Sequence, residues 1–264
     1  MTSISETLKS KIEEKYILAE FVQSGNEGRV FKAVRKSDKT TVAVKFVTEG
    51  SLDEIKNNNK LNETGVRHIN KMLDSTIDEK ADQFALVLDY MPTDLWEFIT
   101  ANEPTEDVCR IITRQIITAV MDMATLAELV HLDLKEENIL IDPTTLEIQI
   151  CDFSTCMDAN HLIEILAPDW NHTNYFLSPE TVKNYIFYPT RSIVWVIGLM
   201  CFSMLNACGD QWKIFSDDII VKDRLRFKNC ISKDARDFVF TCLEVDVKVR
   251  HDVKHLLDLP WLKK

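Results

Sequence analysis

Between residues 17 and 48, three runs rich in β-branched, aromatic and aliphatic residues stand out: Ile17 to Val22, Arg29 to Arg35 and Thr41 to Thr48. Gly-containing and Ser-Asp turn signals separate them, which predicts an antiparallel meander. The polar segment Ser51 to Asn70 follows, rich in Asn and Lys; a helix there is weakly specified, because asparagine is a poor helix former. Two more strand-like runs lie near Lys71 to Ile77 and Gln83 to Asp89. From Pro104 onward the period changes: Val108, Ile111, Ile112, Ile116, Ala119, Val120 and Met123 recur every three or four residues, as one face of a helix does. A strand-like run is expected at Leu146 to Cys151, and helices at Ser192 to Cys208, Ser232 to Val245 and Val253 to Leu259. This is an α+β pattern: a small antiparallel β-sheet lobe with one helix, then a larger, mainly helical lobe, the two expected to share a cleft.

Composition narrows the setting. The 264 residues are 45% hydrophobic, enough for a sizeable core in one large domain or two packed lobes. Seven cysteines without a CxxC pair point to reduced thiols and no zinc site, so a cytoplasmic or nuclear location is expected. Met1 to Lys15 has no apolar run, so no secretory leader is expected, and Thr2 excludes N-myristoylation. The longest apolar stretch, Ile193 to Leu205, is shorter than the roughly 20 residues of a spanning helix and reads as a buried core helix rather than a membrane segment. A net charge of −11 disfavours nucleic acid as a partner, since phosphate backbones are bound by basic surface.

The densest chemistry lies in His131 to Leu140, HLDLKEENIL, which sets Asp133, Lys135 and Asn138 close together, and in Asp152, Phe153 and Ser154 after the next strand-like run. Oxygen donors this close suit a hard divalent cation. A solvated acidic loop is the plainer alternative.

These two segments resemble the catalytic loop H-R-D-L-x-x-x-N and the D-F-G of protein kinases. Val42, Ala43, Val44 and Lys45 resemble the V-A-I-K strand, and Gly25, Asn26, Glu27, Gly28, Arg29 and Val30 most of the Gly-rich loop. Downstream, Ser178, Pro179 and Glu180 resemble A-P-E, Trp195 and Gly198 fit the buried helix that follows, and Arg250 is placed to pair with Glu180. Each motif alone is weak, but their order along residues 23 to 262 is hard to reach by chance. The resemblance implies a two-lobed kinase fold over residues 1–264, with an N-lobe at 16–90 and a C-lobe at 91–262.

It also implies roles. Lys45 would hold the α- and β-phosphates of ATP, with Glu54 or Glu63 as its partner. Asn138 and Asp152 would carry Mg²⁺, Asp133 would accept the proton of the attacking hydroxyl, and Lys135 would neutralise the γ-phosphate. Gly25 and Gly28 would lie along the phosphates. Val30, Ala43, Leu88 and Leu140 would wall the adenine slot, with Leu88, Asp89, Tyr90 and Met91 as gatekeeper and hinge. Lys135 two residues after Asp133, and Thr173 before Ser178, resemble Ser/Thr rather than tyrosine kinases. Thr190 to Asp210 is similar to the PIM family of the calmodulin-kinase-like group, which also lacks an aspartate at the position of Ile193. PIM-like kinases prefer arginines before the phosphoacceptor, and acids at Asp94, Glu97, Glu136 and Glu137 would suit a basic protein or peptide substrate. A monomer is expected.

Several positions depart from the pattern. Leu132 replaces the arginine that binds a phosphorylated activation loop, so control by such a phosphate is not expected. Ser154 replaces the glycine of D-F-G, Gln23 the first loop glycine, and Glu27 stands at the loop tip, where its charge would repel phosphates. Four residues past Glu54 and Glu63, where an apolar residue is usual, stand Asn58 and Arg67. Two readings follow: an active Mg-ATP-dependent Ser/Thr kinase, or a pseudokinase acting as a scaffold.

Overall fold

The computed structural model describes residues 3–24, 28–48, 50–164, 177–207, 225–228 and 230–264. The chain divides into two compact units, one of residues 1–65, 70–92 and 152–154, the other of residues 66–69, 93–151 and 155–264.

The first unit opens with helix α1 (Glu6–Lys15), for which the sequence reading proposed no element. It is helical because Ser5 caps it, accepting a bond from the Leu8 amide at 3.3 Å, and because Leu8 and Ile12 form a one-turn apolar stripe. Five strands follow: β1 (Tyr16–Ser24), β2 (Gly28–Arg35), β3 (Thr41–Val47), β4 (Met72–Asp78) and β5 (Gln83–Asp89), with helix α2 (Asp53–Thr64) between β3 and β4. Only the first three run as a meander. The sheet order is β1-β2-β3-β5-β4, all antiparallel, because the chain crosses by α2 to the far edge before β5 fills the place beside β3.

Alternation along β3 gives this sheet two faces. Val42, Val44 and Phe46 point to one, where they are buried with Leu8, Ile12, Tyr16, Ala33, Ala85 and Val87 under α1. Val47, Phe84 and Leu86 point to the other and pack with Met72 and with Ile55 of α2. The register pairs Val30 with Lys45, Lys45 with Leu86, and Ala43 with Leu88, so these residues share that second face.

The second unit is mainly helical. Strand β6 (Thr93–Asp94) leads into α3 (Leu95–Asn102), an element the sequence reading did not identify, and then α4 (Glu106–Leu126), whose buried face carries Ile112, Ile116, Ala119, Val120 and Met123. Short strands β7 (Leu129–Val130), β8 (Ile139–Ile141), β9 (Ile148–Ile150), β10 (Met157–Asp158) and β11 (Ile163–Glu164) follow. Helix α5 (Pro179–Asn184) and strand β12 (Ile186–Phe187) precede α6 (Ser192–Asn206), every residue of which is buried. Helix α7 (Lys233–Cys242) packs on α6. Gly198 permits that approach, since a Cβ there would lie 2.6 Å from Cys242 Cβ. The helix expected at Val253 to Leu259 is a 3-10 helix, Val253–Asp258. Glu106, at the start of α4, gathers the far end of the chain by accepting bonds from the Ser232 amide (2.8 Å), the Ser232 hydroxyl (2.6 Å) and Trp261 Nε1 (3.0 Å).

Candidate active site

Lys45 lies within the apolar strand β3, between Val44 and Phe46, with its side chain on the α2 face of the sheet. Its Nζ lies 2.7 Å from Glu54 Oε1 and 3.0 Å from Asp152 Oδ1. Burial by itself would lower the lysine pKa, but the charges of Glu54 and Asp152 outweigh it and raise the value above the ordinary lysine range. The ammonium is therefore permanently charged. Of the two glutamates left open by spacing, Glu54 is the one in this contact, buried on the inward face of α2, whereas Glu63 is exposed near the helix end.

Helix α2 forms despite its composition because its asparagines make specific contacts. Asn58, buried, donates to the Glu54 carbonyl at 2.8 Å, Asn62 to the Met72 carbonyl at 2.7 Å, and Asn57 to the Phe153 carbonyl at 2.8 Å. Leu52 at the N-cap makes no capping side-chain bond, and Gly65 ends the helix in a left-handed conformation, φ 71°. None of the asparagine contacts was legible in the sequence; only the unusual run Asn57, Asn58 and Asn59 marked the place.

Asp152 itself has a left-handed backbone, φ 64°, which is costly for a residue with a Cβ and persists only where its surroundings fix it. Phe153, fully buried, and Ser154 continue into a 3-10 turn at Phe153–Thr155. Ser154 has no positive φ, so a serine is accommodated without strain where the family pattern has glycine, and its hydroxyl donates to Asp152 Oδ1 at 3.0 Å.

In the second unit, His131 to Asn138 form a compact polar cluster. The Asp133 amide donates to His131 Nδ1 at 3.2 Å, which leaves Nε2 as the protonated nitrogen facing the Cys151 carbonyl at 3.0 Å. Lys135 Nζ lies 2.8 Å from Asp133 Oδ2, and Asn138 Nδ2 donates to the Asp133 carbonyl (2.7 Å) and to its Oδ2 (3.2 Å). The Cys151 amide closes the cluster on the Asn138 carbonyl at 2.9 Å. With the amide nitrogen of Asn138 committed to Asp133, its Oδ1 is the atom turned the other way. An amide oxygen held in this manner and a carboxylate fixed by Lys45 and Ser154 are the hard donors that Mg²⁺ takes, so the residues fit that ion.

The structure thus brings Lys45, Glu54 and Asp152 together in one unit and Asp133, Lys135 and Asn138 together in the other. Val30, Ala43, Leu88, Asp89 and Met91 of the first unit and Leu140 of the second are half-buried, Ala43 and Leu140 each between two fully buried neighbours. Gly28 begins β2, where a Cβ would sit 1.9 Å from the Phe46 carbonyl oxygen, so the strand pairing itself demands glycine there. Gly25, Asn26, Glu27 and Thr173 lie outside the described residues.

Among the four acids considered for a basic substrate, Glu136 is 1% exposed, and burial, with Glu137 and Asp94 near it, pushes its carboxyl up to about 8 despite a bond to Ser203. Burial thus disfavours its charged form, and it is not a surface acid. Glu97 and Glu137 are exposed, and Asp94 caps α3 by accepting the Glu97 amide at 2.8 Å.

The protein kinase domain model matches residues 16–262, and the chain belongs to that family. It is 27% identical over 276 residues to the serine/threonine-protein kinase pim-2 of Danio rerio, covering 96% of this chain and 86% of that protein. It is 26% identical to the serine/threonine-protein kinase prk-2 of Caenorhabditis elegans and 26% identical to the maternal embryonic leucine zipper kinase of Xenopus tropicalis, spanning 60% and 39% of their lengths. The fold matches the solved structure of the Cydia pomonella Granulovirus kinase PK-1 with a TM-score of 0.79, 20% identity and 97% of both chains covered. The relatives are Ser/Thr kinases, PIM type among them, and the α+β kinase fold expected from the motifs is the fold observed. No helix among the described residues is long and apolar enough to cross a membrane.

Proposed function

We propose that the chain is an active Ser/Thr protein kinase that transfers the γ-phosphate of Mg-ATP to hydroxyls of protein substrates carrying basic residues before the acceptor. The observation that carries this reading is the three-membered contact of Lys45 with Glu54 and Asp152, at 2.7 and 3.0 Å. A buried ammonium held between two carboxylates has no evident stabilising purpose, since an apolar side chain of similar size commonly does as well in such a place. It is the arrangement needed to present a fixed positive charge to phosphate oxygens.

Mg-ATP, when bound, supplies the phosphoryl group and much of the charge neutralisation. The chain supplies positions. Lys45 would hold the α- and β-phosphate oxygens, and Asp152 and Asn138 would hold the metal. Asp133, kept in place by Lys135, Asn138 and the His131-anchored backbone, takes the proton of the acceptor hydroxyl. Lys135 meets charge that develops on the transferred group. Val30, Ala43, Leu88 and Leu140 line the adenine slot, with Asp89 and Met91 at the hinge and Gly25 and Gly28 along the phosphates. Asp94, Glu97 and Glu137 remain as the acids available to a basic substrate. Within this reading residues 1–264 act as one catalytic domain, 16–90 and 91–262, working as a monomer in the cytoplasm or nucleus without nucleic-acid or membrane partners.

The test incubates pure protein with labelled ATP, Mg²⁺ and an Arg-rich Ser/Thr peptide, beside Asp133→Asn and Lys45→Met. Label transfer by the parent and its loss in both variants is the expected result. Equal background from all three, with Mg-ATP still raising the melting temperature, would leave a nucleotide-binding scaffold instead.

A further inference from the structure

Among the described residues, helix α2 and the Asp152–Ser154 turn are joined both through charge and through a neutral hydrogen bond. The first passes from Glu54 through Lys45 to Asp152 Oδ1. The second is direct: one turn along α2, Asn57 Nδ2 donates to the Phe153 carbonyl at 2.8 Å. Ser154 adds a local tie, its hydroxyl on the same Asp152 Oδ1 that Lys45 touches.

These contacts matter because neither partner is well ordered by its own sequence. Helix α2 takes no capping bond from its N-cap residue Leu52, only one from the Ser51 hydroxyl to the Asp53 amide at 3.1 Å, and contains three consecutive asparagines, which favour non-helical backbone. The turn holds Asp152 at φ 64°, a conformation that costs a residue with a Cβ some free energy, aspartate less than most. Each therefore depends on tertiary bonds. Asn57 is the residue that ties the helix to the turn's main chain.

We infer that Asn57 is a positioning residue: together with Ser154 it locks the Asp152–Ser154 turn onto α2, so that the Asp152 carboxylate is presented for metal by contacts built into the unit. The inference rests on the kinase reading for its use of metal, but the lock itself is a property of the protein without ligands.

The test compares Asn57→Leu with Asn59→Leu, an equal change at an exposed position of the same helix that makes no such bond, and with Ser154→Ala. Hydrogen–deuterium exchange over residues 152–156 is measured without nucleotide, and the Mg²⁺ concentration that half-saturates ATP-dependent thermal stabilisation is measured separately. Loss of one neutral hydrogen bond predicts about fivefold faster exchange and about a fivefold higher Mg²⁺ midpoint in Asn57→Leu. Ser154→Ala should shift the Mg²⁺ midpoint in the same direction, and Asn59→Leu should shift neither quantity. Because Ser154→Ala leaves the helix untouched, it still decides the matter if Asn57→Leu loosens α2 as a whole. Exchange and midpoint in Asn57→Leu and Ser154→Ala equal to those of Asn59→Leu would overturn the inference. If ATP stabilises the wild-type protein at no Mg²⁺ concentration, the kinase reading falls, and the exchange comparison alone settles the lock.

Discussion

Arg250 and Glu180 meet in two parallel hydrogen bonds, Nη1 to Oε1 at 2.8 Å and Nη2 to Oε2 at 2.9 Å, between side chains that are 0% and 6% exposed. The guanidinium also donates to the carbonyls of Glu244 and Arg191 and stacks 5.0 Å from the Trp195 ring centroid, while Ser192 donates to Glu180. One ion pair thereby fastens α5, the start of α6 and the loop before Val253.

Removing one partner leaves the other charge buried without compensation. Glu180→Ala or Arg250→Met should each cost about 3–5 kcal/mol of unfolding free energy. Urea denaturation of the two variants checks this. An effect below about 1 kcal/mol would mean that water reaches the pair in solution.

Glu106 gives the pH dependence. Burial would raise its carboxyl, but the bonds from Ser232 and Trp261 prevail and hold it below the ordinary glutamate range. A depressed carboxyl contributes stability that is present above its unfolded value and is lost as pH falls through its folded value. The stability of the wild-type protein should therefore drop below about pH 4.5, the ordinary glutamate range, and Glu106→Gln should show a shallower drop over the same window. Chemical denaturation at about pH 6 and at several values between about pH 5 and about pH 3 measures both slopes.

Leu8 tests whether α1 belongs to the fold. It is fully buried against the sheet face that carries Val42, Val44 and Phe46. Leu8→Ala should destabilise by about 2–5 kcal/mol, as large-to-small changes in packed cores do. A thermal melt unchanged from wild type would show that the helix does not cover the sheet in solution.

Gly28 separates strand packing from ligand contact. A Cβ there meets the Phe46 carbonyl oxygen at 1.9 Å, which no side-chain rearrangement relieves. Gly28→Ala should cost about 1–3 kcal/mol in the absence of any nucleotide. A melt that changes only when ATP is present would place the glycine's role at the ligand instead.

Much of the site was legible because kinase chemistry fixes residue types at short spacings. Asp133, Lys135 and Asn138 lie within six positions, and the cluster they form is local, so its members were readable from the loop alone. Lys45 was equally visible in a Val-rich strand. The choice between Glu54 and Glu63 was not, because both sit in one helix and only its rotation about its axis decides which faces the sheet. The asparagine run and the serine in place of glycine marked Asn57 and Ser154 as unusual, but their contacts were not legible until a carbonyl or carboxylate 96 or two positions away was brought to them.

The sequence by itself determined the element types that rest on periodic burial, β3 and α4 above all, and those that rest on unbroken apolar runs, β5 and α6, together with the identity of the charged residues that phosphoryl transfer requires. Tertiary structure decided what periodicity cannot encode: that α1 is a helix, because two apolar residues suffice once a sheet face lies against them; that β5 rather than β4 lies beside β3; and that an asparagine-rich helix stands, because its amides bond to main chain elsewhere. Hydrophobic period is a property of neighbours along the chain, whereas a hydrogen bond to a distant carbonyl exists only after the chain has folded back to place it.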